Sequence, residues 1–151
     1  MGLYFYILSL SYRRQDSGVF ITLSSGKTYL ANNFQAVMER IRIKQIDAFT
    51  KVPFQGNPAG VVTDAGQLTD QEMQHIAMEM NVSETAFIQP VGEEEWGDLR
   101  LRWFTPTQEV DLCGHATIAA FYALAEEGKY GISPDTPEAF GIQPRSGQLT
   151  V

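Results

Sequence analysis

Cysteine and histidine are scarce in this chain of 151 residues: one cysteine, Cys113, and two histidines, His75 and His115. A single cysteine excludes an intramolecular disulfide framework and a multi-cysteine zinc site. Positive charge is also short, with 11 Lys and Arg against 18 Asp and Glu, a net charge of −7. With a pI near 4.7, binding to nucleic acid or to an anionic membrane is not expected. No apolar run reaches the roughly 18–20 residues of a membrane helix. The GxGxxG and P-loop patterns are missing, so no nucleotide site is indicated. The apolar run Leu3–Leu10 has no basic residue before it and Arg13-Arg14 after it, the wrong polarity for a secretory leader. A reducing, cytoplasmic setting is the expectation.

What is present suits a folded domain. Hydrophobic residues make up 44% and charged residues 19%, enough apolar material for a core. Residues 1–37 stand apart, with few acids, an aromatic cluster (Tyr4, Phe5, Tyr6) and the patch Ser24-Ser25-Gly26. They read as an N-terminal extension with short strands around Leu3–Leu8 and Val19–Leu23. Met38 precedes a clean strand and is a candidate original translation start. Residues 38–151 form the main domain.

Ile41–Lys44 alternates with period two, as a half-buried strand does, and runs on toward Phe49. Gly56-Asn57-Pro58-Ala59-Gly60 reads as a turn, because glycine permits positive φ and Pro58 pushes Asn57 toward an extended conformation. Val61-Val62 reads as the next strand. Thr69 and Glu72 form a capping box, and Leu68 with Met73 a hydrophobic staple. Met73, Ile76, Ala77 and Met80 then give one buried helix face, ending at Asn81. Thr85–Ile88 is a strand, and Gly92–Gly97 an acidic loop or hairpin with Glu93, Glu94 and Glu95 in solvent. Leu99, Leu101 and Trp103 share one strand face, and Arg100 and Arg102 take the solvent side. Glu109–Leu112 is extended. Gly114-His115 opens a second helix with no charge from Ala116 through Ala125. It is too short to span a membrane, so it reads as a buried core helix, with Gly128 as its C-cap. Phe140–Gln143 and Gly147–Val151 read as two strands.

Several residues could do chemistry. His75 lies at the edge of the first helix face and reads as a boundary histidine. His115 stands at a helix start, where free N–H groups and the positive dipole end suit a carboxylate or a developing enolate. Gly114 would let a ligand approach the backbone. A histidine that merely caps its own helix remains the alternative. Asp111, Cys113 and His115 are spaced two apart, which would align them as metal ligands on an extended segment. The helix start at Gly114 breaks that alignment, so no metal is expected. Cys113 beside His115 suggests a thiol pair, but a lone cysteine next to Leu112 reads as a small buried hydrophobe. Glu84 lies at a helix-to-strand junction, and a carboxylate partly buried in such a place becomes a better acid or base near neutral pH.

In order along the chain stand Asp47-Ala-Phe-Thr, Phe54-Gln-Gly-Asn-Pro-Ala-Gly-Val-Val62, Ile76-Ala-Met-Glu-Met-Asn-Val-Ser-Glu-Thr-Ala-Phe87, Leu101-Arg-Trp-Phe-Thr-Pro106 and Glu109-Val-Asp-Leu-Cys-Gly-His-Ala-Thr117. Together they resemble the PhzF family, named for the phenazine biosynthesis isomerase. The resemblance covers residues 41–151 and none of 1–37. It implies an α+β, diaminopimelate-epimerase-like domain, with a mostly antiparallel sheet curled round a central buried helix. It also implies cofactor-independent isomerase or epimerase chemistry on a small carboxylate-bearing substrate, in a cleft between two similar domains.

By resemblance, Glu84 is the proton-shuttling carboxylate. Gly114 and His115 line the substrate site, Asn57 contributes to the pocket and Ser83 is a neighbouring contact. Cys113 falls where related epimerases keep a catalytic cysteine, but here the pattern reads Cys113-Gly114-His115-Ala116. Members carry a second domain that this sequence does not contain. The expected accounts are a truncated product, one half of a split protein that pairs with a separate C-terminal half, or a self-associating domain such as a homodimer. A non-catalytic oligomerising or binding domain of the same fold is the alternative function.

Overall fold

A computed structural model describes residues 10–15, 18–22, 28–31, 40–92, 98–133, 139–145 and 147–151. Its elements, in chain order, are β1 (Leu10–Gln15), β2 (Gly18–Thr22), β3 (Thr28–Ala31), β4 (Arg40–Ala48), β5 (Asn57–Val62), α1 (Asp70–Met80), β6 (Glu84–Pro90), β7 (Leu99–Phe104), β8 (Glu109–Val110), α2 (Gly114–Glu127), β9 (Gly141–Gln143) and β10 (Leu149–Thr150), with a 3-10 turn at Lys129–Gly131 after α2. The class is α+β. The described strands form one sheet in the order β10-β9-β7-β6-β5-β4-β1-β2-β3, with β8 also on β7. The sheet is mostly antiparallel; β5 with β6 and β7 with β9 are the parallel pairs. Parallel neighbours need a long crossover, and α1 supplies it between β5 and β6.

The helix ends are set locally, as the sequence predicts. The Thr69 hydroxyl accepts from the Glu72 amide, and the Glu72 carboxylate accepts from the Thr69 amide. Leu68 and Met73 lie in the same buried cluster. Asn81 ends α1 at φ 51°, and Gly128 ends α2 at φ 62°. The expected strand at Val19–Leu23 overlaps β2, whereas Leu3–Leu8 and residues 93–97 lie outside the described residues.

Strand alternation sends side chains to two cores. Ile46, Ala59, Val61, Ala86, Ile88, Leu99, Leu101 and Trp103 meet α2 on one face. Ile43, Val62, Phe87 and Phe104 meet α1 on the other. On α2 the buried residues Ala116, Ala119, Ala120 and Ala123 recur at helical spacing. Their small side chains let the helix backbone lie close to the sheet, where packing is tightest.

Three expectations are corrected. The segment 57–60 is the first part of β5, not a turn: Asn57 to Val61 pair in register with Ala48 to Lys44. Gly60 is there for space, because a Cβ would lie 2.6 Å from the Thr85 hydroxyl. Arg102 does not point to open solvent. Its guanidinium grips both carboxylate oxygens of Glu109 at 2.7 and 2.9 Å and reaches Asp70 at the start of α1 at 2.6 Å. Finally, α2 is covered on one side only among the described residues, since Ile118 is 38% exposed and Phe121 and Tyr122 are half-buried.

Candidate active site

The sheet order brings the start of β6 beside the start of α2. Glu84 is the first residue of β6 and pairs with Ala59 of β5. Cys113 is the N-cap of α2, extended at φ −145° and ψ 109°, and the chain turns into the helix immediately after it. The Cys113 carbonyl accepts from both the amide and the hydroxyl of Thr117, at 3.0 and 2.7 Å. That pair of bonds fixes the cap, and His115 follows in the first turn.

His115 is the hub. Its Nδ1 lies 3.2 Å from the Cys113 thiol, and its Nε2 lies 3.1 Å from the Ser83 hydroxyl and 3.4 Å from a Glu84 carboxylate oxygen. The Ser83 hydroxyl donates to the Pro58 carbonyl at 3.2 Å, so its single proton is spent there. Ser83 therefore accepts from Nε2–H of His115, and with one proton on the ring Nδ1 is the acceptor for the Cys113 S–H. This tautomer is assigned by the network. The thiol is a good match for the role. Burial pushes the Cys113 thiol up to about 11, and the Glu84 carboxylate pushes the same way against the amides of Ala116 and His115. At neutral pH it is a protonated donor, not a nucleophile.

The structure thus brings Ser83, Glu84, Cys113 and His115 together. Gly114 is exposed between the last two, and a Cβ there would meet nothing within 4 Å, so the helix start is open on that side. Asn57 is exposed at the head of β5, next to the Pro58 carbonyl that takes Ser83. Asp111 is exposed and outside the group. The grouped donors among the described residues are Glu84, Cys113 and His115, because the N-cap turn breaks the two-residue alternation on which Asp111 depended. No sequence spacing pointed to Glu84 as the third member, since it arrives from a different strand. Its signals were its place at a helix-to-strand junction and the family motif.

No helix among the described residues is long and apolar enough to cross a membrane.

Comparison with known proteins gives a consistent picture. An "uncharacterized isomerase" of Clostridium acetobutylicum is 57% identical over 91 residues, covering 60% of this chain and 30% of its own length. One from Pseudomonas aeruginosa is 48% identical over 111 residues, covering 74% of this chain and 39% of its own. The chain therefore spans well under half the length of these curated relatives. Among solved structures, a PhzF-family phenazine biosynthesis protein of Bacillus anthracis aligns with a TM-score of 0.64 at 42% identity, over 75% of this chain and 36% of that one. A predicted epimerase of Pseudomonas aeruginosa aligns with a TM-score of 0.61 at 26% identity, over 73% and 37% of the two chains. The PhzC-PhzF model, described as phenazine biosynthesis-like protein, matches residues 46–151, and the chain belongs to that family.

Proposed function

We propose that this chain provides one wall of a cofactor-independent isomerase or epimerase site, acting by proton transfer on a small carboxylate-bearing substrate. The observation that carries the reading is the Glu84 carboxylate 3.4 Å from Nε2 of His115 at the open start of α2. Glu84 takes a proton from a carbon made acidic by a neighbouring carbonyl or alkene, and returns it. The positive end of the α2 dipole, with His115 in its first turn, holds the substrate carboxylate or the charge that develops on it. Cys113 and Ser83 keep the ring in the donating tautomer. Asn57 and Gly114 border the same pocket. In this reading the facing wall comes from a second, C-terminal domain or from a second copy.

The test is proton exchange. The full chain, shown by circular dichroism to be folded, is incubated in D₂O with small amino and hydroxy acids, and NMR follows deuterium at the carbon next to the carboxylate. Exchange that falls in Glu84→Gln by about 10²–10⁴-fold is expected. No exchange across a panel that an intact relative turns over would favour a second reading, a non-catalytic oligomerising or binding domain. That reading rests on the apolar surface left open beside the site, with Leu112 59% and Ile118 38% exposed.

A further inference from the structure

Carboxylate, thiol and imidazole are three different ligand types for a soft divalent cation, and here their donor atoms all lie within 4.8 Å of one another. They come from three kinds of support: a strand start, an N-cap and a first helical turn. Zinc bonds of about 2.0–2.3 Å to O, N and S put tetrahedral donors roughly 3.3–3.6 Å apart. The thiol and Nδ1 are already at 3.2 Å, and a Glu84 carboxylate oxygen reaches the same imidazole.

We propose that Glu84, Cys113 and Nδ1 of His115 bind a divalent cation of the zinc type, and that the bound ion closes the proton-transfer site. Nδ1 presents its lone pair toward the thiol, so the cation takes the place of the thiol proton. Nε2–H stays on Ser83, whose hydroxyl stays on the Pro58 carbonyl. Metal-bound histidines are held in this way, with the second ring nitrogen donating to a protein group. The balance is simple: one proton leaves the thiol for solvent, one S–metal, one N–metal and one O–metal bond form, and nothing is oxidised or reduced. A dication with one thiolate and one carboxylate is neutral, which suits donors whose His115 and Glu84 side chains are only 9% and 22% exposed. The open side at Gly114 provides entry and a fourth position for water.

Closure rests on the proton-transfer reading above; cation binding does not. The probe is cobalt(II), titrated into the full chain under reducing conditions. Cys113 is the one cysteine, so a thiolate-to-cobalt absorption band reports on it alone. A band that saturates at one ion per chain, with release of one proton and displacement by zinc, is expected. The band should vanish in Cys113→Ser, weaken in affinity by about tenfold or more in Glu84→Gln, and persist in His75→Asn. Circular dichroism checks that each variant folds, and the milder Glu84→Gln keeps the test alive if Cys113→Ser does not. No sulfur band, or a Glu84→Gln protein that binds as tightly as the parent, overturns the site. Proton exchange that continues undiminished at zinc saturation overturns the closure. A chain that shows no exchange even without metal counts against the proposed reaction and leaves the titration result standing.

Discussion

The two ends of α2 treat polar groups in opposite ways. At the C-terminal end, Glu126 and Glu127 sit where the helix dipole is negative, and the fold sets cations against them. The buried Lys44 of β4 bridges both, at 2.8 and 2.7 Å. The Thr63 hydroxyl and Lys129 complete the shell of Glu127, at 2.7 and 3.2 Å. At the N-terminal end, Glu84 faces a positive dipole with an imidazole, a thiol and a hydroxyl around it, and one side open at Gly114. The first end ties the helix to the sheet. The second holds groups that still have a lone pair or a proton to exchange. Saturated charge marks structure, and unsaturated donors beside an opening mark chemistry.

Removing the cation at the saturated end should have the largest effect. Lys44→Ala leaves Glu127 to Thr63 and Lys129 and Glu126 to solvent, and losing charge-assisted bonds of this kind costs about 1.5–3 kcal/mol. Urea unfolding measures it, and a loss well under that range would mean water reaches this end as freely as the other.

Acid should act on the same end. Burial alone would raise the Glu127 carboxyl, but hydrogen bonds from Lys44, Thr63 and Lys129 hold it down to about 2, against 4.5 for the ordinary group. Its contribution to stability is therefore complete above the ordinary value and is lost as pH falls from about 4.5 to about 2. Urea midpoints across that window should drop steeply in the parent and less in Glu127→Gln.

At the N-terminal end the expected effects are smaller. Thr117→Val removes the hydroxyl bond to the Cys113 carbonyl but leaves the amide bond in place, at a cost of about 1 kcal/mol. The smallest is a change of state with little change of stability. In Cys113→Ala the donor to Nδ1 is gone while Ser83 still takes Nε2–H, and nitrogen NMR of His115 should show a shifted Nδ1 signal. Cys113→Ser keeps a donor and should keep the parent pattern. Identical spectra from both variants would break the comparison, because the thiol would then do nothing for the ring.

Much of the framework was legible. The Thr69–Glu72 box, the Asn81 and Gly128 stops and the face of Leu99, Leu101 and Trp103 all stand where the sequence put them. Each depends on residues a few positions apart, so local spacing is sufficient. Gly56–Gly60 was misread because glycine serves two purposes. Gly60 makes room for Thr85 on the next strand, a need that no local pattern reveals. Arg102 was misread because alternation tells which face a residue takes, not what covers that face, and here α1 brings Asp70 over it.

By itself the sequence determined both helices with their ends, the buried faces of α1 and β7 and a candidate helix-start site at His115. The tertiary structure alone decided the partners. Ser83 meets His115 across 32 residues and Lys44 meets Glu126 across 82. Asp111, two residues from Cys113, was left out of the cluster while Glu84 came in from another strand. The reason is physical: periodicity fixes the direction of a side chain on its own element, whereas its neighbours depend on strand order, register and the crossover through α1, which are set by packing the whole chain.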